Sequence, residues 1–232
     1  IGFRLALNYG SLDGDDCYIN GKGGWEEHRK VRNSNFKSHL AEGLLLAEIY
    51  PTVFLEYDQN DLYRKLRPYV AFGVGVFNFN PKGQDPLTGE WVDLKPLRTE
   101  GQGLPEYPTR KEYALTQVNL PAGIGIKYFV NETFNVSLEI LHRTTFTDYI
   151  DDVSTRYVDP TVFYNHMDPA TAQLADRMAN KSGTGLSRTY SAGQIRGNPN
   201  NNDAYYSVGL KLGIRLGSGN GFRNSTDCPI RF

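Results

Sequence analysis

Apolar and polar residues alternate along several segments of the chain. In the clearest segment, "YYSVGLKLGIRL", an apolar residue occupies every second position from Tyr206 to Leu216. A period of two predicts a β-strand, because successive side chains of a strand point to opposite faces of the sheet. Similar alternation predicts five more strands, in "IGFRLALNYG", "FKSHLAEGLLLAEIY", "RPYVAFGVGVFNF", "YALTQVNLPAGIGIKYF" and "FNVSLEILHRTTF". The chain is therefore predicted to be all-β.

The second face of these strands is rich in glycine and carries isolated charges of both signs: Arg4, Glu42, Glu48, Lys127, Glu139, Arg143, Lys211 and Arg215. Small residues and mixed charges are typical of the packed, polar interior of a narrow membrane barrel, whose apolar faces contact lipid. We therefore predict a transmembrane antiparallel up-and-down β-barrel with these charges inside. The alternative is a soluble sandwich or lipocalin-like barrel, in which an outward face with so much glycine is unusual. The second strand alternates less cleanly, which suggests a bulge.

The connections alternate between long and short. Long loops are predicted at 11–33, 81–112 and 151–202, and short turns at 58–66 and 130–133. Outer-membrane barrels combine long extracellular loops with short periplasmic turns, and they have at least eight strands. The prediction is thus a barrel over residues 1–216, a periplasmic tail over 217–232, and an outer-membrane location. Because Ile1 lies inside an alternating segment, we expect an N-terminal hairpin that this sequence lacks.

Composition and motifs exclude several functions. The net charge is −1 and the mean hydropathy is −0.49, so neither nucleic-acid binding nor a helical membrane protein is indicated. The four histidines lack metal-ligand spacing, and no nucleophile elbow, zinc-protease motif or phosphate-binding loop is present. We therefore expect no enzyme activity, no catalytic or metal-binding residues, no cofactor and no small-molecule substrate.

Two stretches of the longest loop carry local signals. "FTDYIDDVSTRYVDP" clusters four aspartates just after a strand. Hard cations bind clustered carboxylates, but aspartates at the start of a loop more often accept hydrogen bonds from nearby groups, which is the interpretation we prefer. "DPATAQLADRMAN" has helical spacing and an Asp168-Pro169 start signal, which predicts a helix.

Five motifs, in this order, resemble those of the PorG-like outer-membrane β-barrel proteins: "RPYVAFGVGVFNFNPK", "EWVDLKPLRTEGQG", "YALTQVNLPAGIGIKY", "LEILHRTTFTDYIDDVSTRYVD" and "IRGNPNNNDAYYSVGLKLGIRL". The resemblance implies an eight-stranded barrel whose first two strands have no counterpart here. It also implies a component of the type IX protein secretion system, associated with a periplasmic ring of the lipoprotein PorK and its partner PorN. It supplies no catalytic residue. The implied role is structural anchoring; the alternative is a small outer-membrane pore, or a barrel scaffold without a role in secretion.

The topology puts contacts with this ring on the periplasmic side. The predicted partner-binding residues are Asp58, Asn60, Tyr63, Arg64, Lys65, Asn131, Glu132, Phe222, Arg223, Cys228, Arg231 and Phe232. Cys17 is predicted to lie outside the cell and Cys228 in the periplasm, separated by roughly 25 Å of membrane. A disulfide needs Cα atoms within about 7 Å. Cys228 is therefore a candidate for an intermolecular disulfide with a partner protein.

Overall fold

The computed structural model describes residues 1–55, 62–183 and 187–216. Its main feature is an antiparallel sheet that curls into a half-barrel. The strands pair in the order β1-β2-β3-β5-β6-β7, and the short β4 pairs with the end of β3. Their bounds are β1 Gly2–Asp15, β2 Asn35–Ile49, β3 Leu66–Gln84, β4 Trp91–Asp93, β5 Thr116–Phe129, β6 Phe134–Thr145 and β7 Ala204–Ile214. The prediction of an antiparallel, mostly β chain is confirmed.

The apolar face of the sheet points outward. Phe3, Val74 and Leu210 are 82%, 52% and 72% exposed, whereas the glycine-rich face lines the inside of the curl. The inside also holds large apolar side chains, among them Leu44 and Leu46. This sheet is thus inverted relative to that of a water-soluble barrel, in which the apolar face lies inside.

The strand register is regular throughout, and the bulge suggested for the second strand was wrong. β2 pairs in step with β1 on one side and with β3 on the other. Its alternation looked irregular because Leu44 and Leu46 share the inner face with Glu42 and Glu48. The β3–β5 ladder omits one stretch, opposite Pro121, whose nitrogen carries no hydrogen to donate.

Several predicted loops start later than expected. β1 continues past residue 11 to Asp15, because it stays paired with β2. β3 continues past residue 81 to Gln84, because its last residues pair with β4. The connections contain four α-helices within the described residues: α1 Trp25–Arg32, α2 Leu62–Lys65, α3 Thr161–His166 and α4 Pro169–Ala179. None of the helices among the described residues is long and apolar enough to cross a membrane.

Two connections fold together over one end of the sheet. We call residues 85–115, 146–183 and 187–203 the loop cap, and the opposite end of the sheet the turn end. The core of the cap includes Leu97, Leu104, Phe163 and Met178. Beneath it, a layer of apolar side chains closes the upper interior of the curl; it consists of Leu40, Phe77, Phe79, Tyr113 and Ile150.

Candidate functional site

Two carboxylates and three cations meet inside the curl near the turn end. The guanidinium of Arg4 on β1 contacts Glu48 Oε1 on β2 at 2.9 Å and Glu139 Oε2 on β6 at 2.8 Å. Lys211 Nζ lies 2.8 Å from Glu139 Oε2, and Lys127 Nζ lies 3.4 Å from Glu48 Oε2. Each carboxylate is therefore balanced by side chains from other strands, which lowers the cost of removing both from water.

Two tyrosines complete this lower cluster. The Tyr69 hydroxyl donates to Glu139 Oε2 at 2.9 Å, and the Tyr50 hydroxyl donates to Glu48. Gly125 on β5 makes room for the Tyr69 ring, because a Cβ at this position would overlap that ring. The glycine-rich inner face thus allows bulky polar side chains to cross the interior.

A second cluster surrounds Glu42, closer to the loop cap. Arg143 of β6 binds both Glu42 oxygens, at 3.2 and 3.1 Å, and both side chains are almost fully buried. Asn8, Asn119 and Tyr205 also donate to Glu42, at 2.9, 2.8 and 2.7 Å respectively. Four different strands therefore converge on this one carboxylate.

Seven of the eight predicted interior charges belong to these two clusters. The eighth, Arg215, lies just beyond β7, where its backbone N–H donates to the carbonyl oxygen of Thr133 at 2.8 Å. No sequence pattern marked Tyr50 and Tyr69 as partners of the carboxylates. Alternation placed Asn119 and Tyr205 on the inner face, but it gave no sign of which charge they would bind.

The structure describes only some of the predicted partner-binding residues. Lys65, Asn131 and Glu132 lie exposed at the turn end, and Arg64 is half-buried in α2. Asn131 also shapes its turn, because its side-chain oxygen accepts the backbone N–H groups of Thr133 and Phe134, both at 2.8 Å. The Tyr63 side chain lies outside the described part of the structure, as do Asp58, Asn60, Phe222, Arg223, Cys228, Arg231 and Phe232. The remaining cysteine, Cys17, is exposed and unpaired.

The loop cap contains a buried ionic centre that the sequence did not reveal. Glu100 is fully buried and accepts the backbone N–H groups of Ser154 and Thr155, at 3.0 and 2.8 Å. Arg196 Nη1 donates to Glu100 Oε1 at 2.8 Å and to the carbonyl oxygen of Asp152 at 2.6 Å. Through these contacts Glu100 fastens one loop of the cap to the other.

The aspartates of "FTDYIDDVSTRYVDP" organise the start of the longest loop, as expected. Asp151 accepts the Val153 N–H at 3.0 Å, and Asp159 accepts the Thr161 N–H at 2.9 Å. Asp152 is fully buried and accepts the Tyr113 hydroxyl at 2.8 Å. Burial raises the pKa of the Asp152 carboxyl to about 6.

Two more carboxyls of the cap hold protons unusually tightly. Burial raises the pKa of Asp148 to about 7, and its Oδ2 atom accepts no hydrogen bond from the described residues. Burial and the neighbouring charge of Asp151 raise the pKa of Asp203 to about 7. Both groups are therefore partly protonated near neutral pH.

The interior charges are engaged with one another, and within the described residues no group of three or more His, Cys, Asp or Glu side chains is placed to hold a metal ion. Comparisons of the chain with protein-family models, with curated proteins and with solved structures found no match.

Proposed function

We propose that this protein is an integral outer-membrane β-barrel and a structural, anchoring component of the type IX protein secretion machinery, attached to the periplasmic PorK–PorN ring. The observation that carries the membrane part is the inverted sheet. Apolar side chains cover the outside on strand after strand, from Leu5 on β1 to Leu212 on β7. Large continuous apolar surfaces mark contacts with membranes or partners, and a tall apolar band around a polar interior is typical of outer-membrane barrels.

The filled interior supports an anchoring role over a pore. The two ionic clusters and the layer of Phe77 and Phe79 occupy the interior from the turn end to the loop cap. Narrow barrels filled by side chains leave no wide channel. The secretion role rests on the resemblance to PorG-like proteins, whose ring partners are periplasmic.

The orientation can be tested by labelling single cysteines in intact cells. Cys17→Ser and Cys228→Ser remove the native thiols, and cysteine is then introduced at Glu90 in the loop cap or at Glu132 in a turn; both positions are exposed. We expect a membrane-impermeant maleimide to label the variant at position 90 in intact cells and the variant at position 132 only after the outer membrane is opened. Labelling of both in intact cells contradicts the membrane topology.

The attachment can be tested by site-specific cross-linking. A photoreactive amino acid at Lys65 or Glu132 should yield adducts with PorK or PorN, whereas the same group at Glu90 should not. Deletion of 217–232 should release both ring proteins from co-purification. If the ring proteins cross-link equally well from the loop cap, or from no position, the anchoring role is wrong.

Steady channels of nanosiemens conductance in planar bilayers would instead support the alternative, a pore.

A further inference from the structure

A cleft lies between α1 and the last part of the long loop, away from the ionic interior. Its volume is about 180 Å³. An apolar protein cavity of comparable size, about 150 Å³, holds one benzene molecule. The cleft therefore fits a single six-membered ring.

One wall of the cleft is a continuous run of aromatic rings. Trp25 and His28 have centroids 5.8 Å apart, and the His28 and Tyr190 rings stack at 6.0 Å. Tyr157 stacks on Tyr190 at 5.2 Å with an angle of 19° between the ring planes. Trp25 is 67% exposed, so a large aromatic surface borders the cleft and is open to solvent. Flat aromatic surfaces of this kind bind the faces of ring-shaped ligands.

Three arginines contribute to the lining of the cleft, and Glu100 already balances one of them, Arg196. The other two are Arg29 and Arg32, and no carboxylate is among the described residues that line the cleft. Arg29 and Arg32 share the single carboxylate of Asp16, at 3.4 and 2.7 Å, and the Arg29 side chain is 60% exposed. Because one carboxylate serves two guanidinium groups, Arg29 keeps N–H donors that can bind a carboxylate on a ligand.

A buried hydroxyl in the lining has no partner. Tyr157 is 2% exposed, and its hydroxyl makes no hydrogen bond to any described residue. Buried polar groups are nearly always hydrogen-bonded, so this hydroxyl calls for an explanation. A ligand oxygen at this position would accept its proton.

We propose that this cleft binds an acidic sugar, with the ring against Trp25 and Tyr190, the carboxylate on Arg29, and a ring hydroxyl on Tyr157. The donors belong to separate elements, since Arg29 lies on α1 and both Tyr157 and Asn198 lie in the loop cap. A sugar carries oxygens around its whole ring and can meet all of them. A simple aromatic acid has oxygens at one end only.

Tryptophan fluorescence provides the test. The chain has two tryptophans, so Trp91→Phe leaves Trp25 as the sole reporter. The full chain is purified in an amine-oxide detergent, because alkyl glycosides would compete for the cleft. We expect glucuronate to change the fluorescence saturably, with glucose and benzoate binding much more weakly.

Three variants in this background locate the binding. Tyr157→Phe keeps the ring stack and removes the hydroxyl, so affinity should fall roughly tenfold. Arg29→Gln should weaken glucuronate binding and remove its advantage over glucose. Arg98→Gln is the matched control, because this arginine pairs with Glu112 elsewhere in the cap, and affinity should not change.

Saturation-transfer NMR on the unmodified protein repeats the comparison without any variant, so a misfolded variant cannot hide the result. The proposal is overturned if glucuronate gives no saturable signal, if glucose or benzoate binds as well as glucuronate, or if Tyr157→Phe keeps full affinity while remaining folded.

Discussion

At the scale of single residues, the interior depends on matching one carboxylate with donors from several strands. Among the described residues of the sheet, Glu42 and Arg143 form the most deeply buried ion pair. Burying two charges costs free energy that their attraction only partly returns, so such a pair is not by itself a source of stability. Removing only one partner destabilises the protein, because it leaves the other charge buried without its counter-ion.

Glu42→Gln should therefore destabilise the protein by about 3–5 kcal/mol. The amide keeps the shape of the side chain but leaves the Arg143 guanidinium without its carboxylate. Urea unfolding of the protein in lipid vesicles, followed by tryptophan fluorescence, measures the loss. The double variant Glu42→Gln/Arg143→Met should recover part of it. A double variant less stable than the single one would show that the charge left behind is not the cause.

Two glycines offer a matched pair of substitutions. Gly125 and Gly209 are both paired with Glu139, one on each side. A Cβ at position 125 would overlap the Tyr69 ring, whereas a Cβ at position 209 would meet nothing within 4 Å. Gly125→Ala should thus cost about 1–3 kcal/mol through overpacking, and Gly209→Ala should cost little. Equal losses in the same urea assay would contradict the packing explanation.

At the scale of elements, the long strands were predictable because burial alternates along each of them with a period of two. β4 has only three residues, Trp91–Asp93, too few to show a period. α1 has no side chain that caps its first turn, so no start signal marked it. α4 was predictable, because Asp168 accepts the N–H groups of Ala170 and Thr171, both at 3.1 Å, and Pro169 follows it.

Removal of the Asp168 side chain that caps the start of α4 should make this helix open more often. Asp168→Ala deletes the acceptor for two N–H groups at the helix start and should cost about 1 kcal/mol locally. Hydrogen exchange of the α4 amides measures the effect, since opening of this helix exposes them. Asp168→Asn keeps a capping oxygen and should exchange nearly as slowly as the unmodified protein. Fast exchange in both variants would assign the effect to the lost charge instead.

At the scale of the whole molecule, the sheet was predictable and the loop cap was not. The cap is held together by contacts between distant parts of the chain, such as Glu100 with Thr155 and Arg196. No local pattern records such pairings. Likewise, alternation placed the interior charges on one face but could not say which of them meet, because that depends on how tightly the sheet curls.

The cap should become less stable as the pH rises from about 4 to about 7. The pKa values of Asp148 and Asp203 are raised to about 7 and that of Asp152 to about 6, whereas unfolded aspartates titrate near 3.9. In this window the folded cap binds more protons than the unfolded one, so the free energy of unfolding falls as the pH rises through these pKa values.

Hydrogen exchange of the cap amides, corrected for the intrinsic effect of pH, measures this trend between pH 5 and pH 8. Asp148→Asn removes one of the titrating groups and should flatten the profile. A cap that is equally stable at both pH values, or a variant with the unmodified profile, would contradict this assignment.

The ion pair between Arg4 and Glu139 has a consequence for the order in which the chain folds. It joins residues 135 positions apart, from one edge strand to the strand beside the other edge. Contacts between such distant residues form slowly, because a long loop must close first. β1 can pair with β2 early, but the Arg4 guanidinium reaches Glu139 only after β6 has joined the sheet. We therefore expect tightening of the curl to be the last and slowest phase of refolding, and the phase most easily delayed by salt.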